Sequence, residues 1–196
     1  MQSPGQSLTF GRMIADSRTS VAFTGHRTYR GAAADALRRT VGELYARGFR
    51  TFLSGMAVGF DLAAAEAVLE LRERAPGVRL VAAVPFRGQE MRFSPADRER
   101  FRRVLAEADS VEVLAPAYHR GCYAVRNDFL VYNARVLVAW YDGSPGGTRY
   151  TVRRALGRGL EVVNLCPAAP VPPAALRIKK RPGGLAWSAD CDKLLH

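Results

Sequence analysis

The sequence predicts an α/β fold, a doubly wound and mainly parallel sheet with helices on both faces, and two observations carry that prediction. Short apolar runs alternate with amphipathic stretches along most of the chain, the pattern of strands buried on both faces between covering helices. The glycine-rich and polar clusters follow the apolar runs rather than precede them. In a parallel sheet they therefore gather at one edge, outside the carboxyl ends of the strands, where such folds bind ligands.

Taken in order, the apolar runs are 21–24, 51–53, 80–85, 111–114, 136–141 and 162–165. Helical stretches at 32–47, 61–74, 95–108, 122–133 and 147–158 separate them. The third helix is the best signalled, because Ser94 can cap it, Pro95 fits its first position and Asp97 suits the positive end of its dipole. Residues 18–166 form the expected domain. Residues 1–17 read as a loose leading segment, and 167–196, rich in proline and then in positive charge, as a linker and basic tail.

With 48% hydrophobic and 24% charged residues, the chain has ordinary globular composition. No apolar stretch approaches the roughly 20 residues of a membrane span. A cytoplasmic protein without a membrane partner is expected. Cys122, Cys166 and Cys191 lack metal-site spacing, so no metal and no cofactor are predicted. The net charge of +11 allows nucleic acid as a partner. The excess is nearly all arginine in an Ala- and Gly-rich chain, however, and that bias makes nucleic acid the less favoured partner.

The candidate site is assembled from the loops at the shared edge. Gly25, His26 and Arg27 follow the first run; Ser54, Gly55 and Gly59 follow the second, with Asp61 where the helix begins; Gly146, Gly147 and Thr148 follow the fifth. The helix starts after the second and fifth runs would each offer amides and a positive dipole end to a phosphate. Gly55 and Gly147 are read as positions where a side chain would block that phosphate, with Gly77 at the opposite edge as the contrast. Arg126 and Asn127 open the fourth helix near the same edge, where arginine can fork a phosphate and asparagine can read a base or ribose; a structural pair of hydrogen bonders is the alternative. Glu66 lies on an apolar stripe and needs a partner, either a buried arginine or a ligand.

The segments FTGHR, LSGMAVGFDLAAAEAVLEL, AAVPFRGQE, GCYAVRNDFLV and VAWYDGSPGGTRYTV, in this order, resemble the YpsA-like branch of the SLOG superfamily, which joins DprA-like proteins and the lonely-guy phosphoribohydrolases. The resemblance covers about residues 19–166 and implies a Rossmann-like fold with a nucleotide pocket at the carboxyl ends of the strands. It implies ligand sensing rather than a defined reaction. The phosphoribohydrolases carry a catalytic glutamate in a PGG-x-GT-x-x-E pattern, whereas Thr151 stands at the comparable place here. The expected function is therefore binding of a nucleotide-like small molecule by a regulatory module, with a homo-oligomer left open. N-glycosidic hydrolysis of nucleotide monophosphates and DprA-like binding of single-stranded DNA are the rivals.

Overall fold

Six short strands pair in parallel into one sheet: β1 (Ser20–Gly25), β2 (Thr51–Ser54), β3 (Arg79–Val84), β4 (Ser110–Val113), β5 (Val136–Trp140) and β6 (Glu161–Asn164). Five helices connect them: α1 (Ala34–Ala46), α2 (Phe60–Arg72), α3 (Pro95–Glu107), α4 (Cys122–Tyr132) and α5 (Gly147–Gly157). The computed structural model describes residues 17–167, so the readings made for residues 1–16 and 168–196 lie outside the described residues.

The strand order is β4-β3-β2-β1-β5-β6. The chain builds outward from β1 through β4, then returns to lay β5 against the other side of β1. Because parallel crossovers are right-handed, this reversal sends helices to opposite faces. On one face Val21, Phe23, Phe52, Leu80, Val136 and Val138 pack with α1, α2 and α3. On the other, Ala22, Leu53, Val81, Leu137 and Ala139 pack with α4 and α5. Successive residues of the four central strands β3, β2, β1 and β5 alternate between the two cores, which is why those strands read as continuous apolar runs rather than as alternating ones.

Local chemistry sets the helix boundaries. Ser94 accepts the Asp97 amide at 3.1 Å and Pro95 follows it, so α3 starts as its sequence dictates. In α1, Leu37, Val41 and Leu44 make a single buried stripe. α2 lies between α1 and α3 over the middle of the sheet and buries nine of its thirteen residues; its run of alanines allows that close packing. A 3-10 helix at Gln89–Arg92, between β3 and α3, is an element the sequence did not signal.

The reversal of strand order opens a crevice between the ends of β1 and β5. Two glycines bring the chain close together beside it. A Cβ on Gly25 would collide with the Phe60 side chain, and one on Gly59, which has φ +84, would lie 2.6 Å from the His26 carbonyl oxygen. These glycines let the β1 loop rest on the start of α2.

Candidate functional site

A cleft of about 740 Å³ occupies this crevice, lined by Thr24, Gly25, His26 and Arg27 from the end of β1 and its loop, Ala57 and Asp61 at the start of α2, and Arg92 from the 3-10 helix. Tyr118, Arg120, Gly121, Tyr123, Arg126 and Asn127 come from the β4 loop and α4, and Gly147 and Thr148 from the start of α5. The starts of α2, α4 and α5 thus converge there. Each is preceded by a glycine, Gly59, Gly121 or Gly146, and none has a side-chain cap. Gly146, with φ 134 and ψ −168, adopts a backbone conformation essentially restricted to glycine. α2 carries Asp61 in its first turn, whereas α4 and α5 carry no acidic residue there. The positive ends of α4 and α5 are therefore available to an anion from outside, while α2 already has its own.

Asp61 and Arg126 form the floor. Arg126 Nη1 lies 3.5 Å from Asp61 Oδ2 and donates to the Gly55 carbonyl, and its Nε donates to Asn127 Oδ1 at 2.8 Å. Both side chains are more than nine-tenths buried. Burial pushes the Asp61 carboxyl up to about 6 against the pull of Arg126, and burial likewise lowers the pKa of Arg126. Asp61 Oδ1 is buried without a hydrogen bond of good geometry, although the amides of Ala57 and Gly25 favour its anion. Arg126, which lines the cleft, spends Nε and Nη1 on the protein, and among the described residues no hydrogen bond uses Nη2.

The turn 54–59 folds around this pair. Ser54 Oγ donates to the Asp61 carbonyl at 2.8 Å and accepts from the Met56 amide at 3.2 Å. Met56, at φ 57, is the one non-glycine residue with positive φ among the described residues. Gln89 holds this strained turn from the far side by donating to the Met56 carbonyl. A Cβ on Gly55 would meet the Arg126 guanidinium and come within 2.7 Å of Asp61 Oδ2. The space expected to receive a phosphate at this turn is filled by the protein's own ion pair.

Across the reversal point, His26 Nε2 lies 2.8 Å from Asp142 Oδ1 and joins the β1 loop to the β5 loop. The Ser144 hydroxyl and amide hold the Asp142 carboxyl below its ordinary range. At the mouth, Phe86, Tyr118 and Tyr123 form an aromatic cluster with ring centroids 5.4 to 6.4 Å apart. Arg27 lies over the Tyr123 ring and Arg92 over the Tyr118 ring, each 5.2 Å from the centroid.

Of the residues proposed from sequence, Gly25, His26, Arg27, Asp61, Arg126, Asn127, Gly147 and Thr148 line the cleft. Ser54 and Gly55 lie beneath it as supports, and Gly59 and Gly146 act through backbone geometry. Glu66 is a correction. It faces α3, binding Arg100 through both oxygens at 2.7 and 3.0 Å and Arg103 at 2.9 Å, and it lines a different cleft of about 710 Å³ among α1, α2 and α3. Arg92 was missed, since nothing in MRFSP marks an arginine that reaches a tyrosine 26 residues later. Tyr118, Arg120, Gly121 and Tyr123, in and just after the loop that follows the fourth apolar run, also line the cleft and were not among the residues proposed from sequence. Thr151 is fully buried and donates to the Gly147 carbonyl at 2.9 Å; it is a helix-turn fastener, and the cleft lining has Asp61 as its acidic residue. Among the described residues, no cluster of His, Cys, Asp or Glu could hold a metal and no helix is long and apolar enough to cross a membrane.

The family described as the YspA SLOG family matches residues 22–159. A UPF0398 protein of Shouchella clausii is 38% identical over 94 residues, 46% of this chain and 50% of the relative, so the match spans half the length of that protein. A UPF0398 protein of Halalkalibacterium halodurans is 29% identical over 63% of this chain and 67% of its own. Among solved structures, DNA processing protein A (DprA) of Streptococcus pneumoniae superposes with a TM-score of 0.54 at 19% identity, covering 73% of this chain and 48% of that one. DprA of Helicobacter pylori, described for its single-stranded DNA binding mode, gives 0.54 at 14% identity over 83% of this chain and 77% of its own. These two likenesses are likenesses of fold.

Proposed function

This chain belongs to the YspA SLOG family, and on that premise we propose that the cleft between β1 and β5 binds a nucleotide or nucleotide-derived small molecule as a sensing module. The observation that carries the reading is the start of α5: an uncapped Gly146-Gly147 turn with no acidic residue in the first helical turn, beside the buried Arg126. The ligand's phosphate meets the amides of Gly147 and Thr148 and the unspent Nη2 of Arg126, which Asn127 and Asp61 hold in place. Binding rather than hydrolysis is favoured because Thr151 is committed to the backbone and Asp61, in the floor of the cleft, is paired with the Arg126 guanidinium. Neither is placed to stabilise a developing oxocarbenium charge.

Thermal unfolding with AMP and other mononucleotides tests this, since a ligand at about 100 times its Kd adds roughly 2.7 kcal/mol to apparent stability. Thr148→Asp puts a carboxylate at the start of α5 and should abolish the shift in a protein that remains folded. An unchanged response in that variant would remove the phosphate from α5. The second reading, single-stranded DNA, is favoured by the arginines and tyrosines at the mouth of the cleft. Binding of an oligonucleotide with log affinity falling steeply as log salt rises, and no response to mononucleotides, would select it.

A further inference from the structure

Resting on the cleft's reading as a nucleotide site, we infer that Tyr118, with Tyr123 beside it, is a stacking platform for the ligand's nucleobase, and that Arg92 is the cation that closes over it. Tyr118 is 53% exposed although it belongs to an aromatic cluster whose other member outside the cleft lining, Phe86, is buried. Its ring stands nearly perpendicular to that of Phe86, at 78°, so the phenylalanine fixes its orientation without covering it. Arg92 occupies a face of this ring at 5.2 Å and makes no ion pair or hydrogen bond among the described residues. Arg27 lies likewise over Tyr123; its side chain makes no hydrogen bond among the described residues, and its charge acts on Asp61 in the floor.

A planar, π-rich group with an attached anion complements both features. The base takes the tyrosine face, the displaced guanidinium stacks on the base or meets its phosphate, and the phosphate reaches the start of α5. The same chemistry elsewhere on the molecule supplies a contrast. Tyr132 is 46% exposed with Arg158 over its ring at 3.9 Å, but neither residue lines the cleft.

The test measures dissociation constants of AMP, ribose 5-phosphate and a short oligo(dA) for the wild-type chain and for Tyr118→Ala, Tyr118→Phe and Tyr132→Ala. Stacking predicts that Tyr118→Ala weakens AMP binding roughly tenfold or more while leaving ribose 5-phosphate within about twofold. Tyr118→Phe, which keeps the ring, and Tyr132→Ala, which lies outside the cleft, should both retain wild-type affinity. If oligo(dA) alone binds and Tyr118→Ala weakens it, the platform stands, its base comes from a strand, and the small-molecule reading falls. Equal weakening of AMP and ribose 5-phosphate, or no weakening of any base-bearing probe, overturns the platform while a surviving Thr148→Asp effect keeps the phosphate site. Absence of binding by every probe overturns both.

Discussion

Two clefts of nearly equal size, about 710 and 740 Å³, open on this molecule, and they differ in what their charges are doing. In the cleft among α1, α2 and α3, Arg38 binds Asp35 and Glu70, Arg100 binds Glu66 and Asp97, and Arg30 donates to two backbone carbonyls. Each of those cations is neutralised or satisfied at the surface. At the β1–β5 cleft, Arg92 rests on a tyrosine face with no carboxylate partner among the described residues, Arg27, which reaches both clefts, lies over Tyr123, two helix starts lack both cap and acid, and the Asp61–Arg126 ion pair lies buried in the floor. Volume does not distinguish a site from a seam between helices; unsatisfied, oriented charge does.

The largest expected effect breaks this contrast at its base. Arg126→Ala leaves the Asp61 carboxylate buried and unpaired, and should destabilise the protein by about 3–5 kcal/mol. Arg100→Ala in the other cleft, where the side chains are about one-third exposed, should cost about 1 kcal/mol or less. Urea unfolding midpoints decide, and equal losses would erase the distinction between the two clefts.

The same contrast has a signature in pH. Asp61 has a folded pKa of about 6, above its ordinary 3.8. Between these values the native state holds a proton that the unfolded chain has released, so this group's contribution makes stability fall as pH rises through the window. The Glu161 carboxyl has the opposite sign. Arg47 holds it below its ordinary value, so its contribution is present above that value and is lost as pH falls. Asp61→Asn should remove a falling component between about pH 4 and 6 from the stability curve, and Glu161→Gln a rising component at lower pH. A stability curve for Asp61→Asn parallel to wild type would contradict the buried position.

Glycine substitutions give the next effect. Gly55→Ala should cost about 1–3 kcal/mol by driving a Cβ into Arg126 and Asp61, so any loss of binding reports on the floor rather than on a blocked phosphate. Gly77, the contrast suggested by sequence, has φ +80 and is strained by any side chain. Gly42 in α1 is the sound control, with nothing within 4 Å of an added Cβ. Gly42→Ala should stabilise by about 0.5–1 kcal/mol and leave the AMP response intact. A reduced response would extend the site beyond the cleft.

By itself, the sequence determined the sheet, the five helices and the edge at which the polar loops meet. Those features are written in short-range patterns: apolar runs, helical stripes such as Leu37, Val41 and Leu44, and the Ser94-Pro95 helix start. It also placed His26, Arg27, Asp61, Arg126 and Thr148 at that edge, because a parallel sheet sends every strand-end loop to the same side. Tertiary structure alone decided how the space there is filled. Arg126 reaches Gly55 from 71 residues away and Arg100 reaches Glu66 from 34, which turned an expected phosphate cradle into an ion-paired floor and decided Glu66, for which an arginine or a ligand was expected, as a clamp between α2 and α3. The physical reason is range. Periodicity, capping and turn chemistry act within a few residues and can be read along the chain, whereas the partner of a buried charge is set by which helices the reversal of strand order brings together.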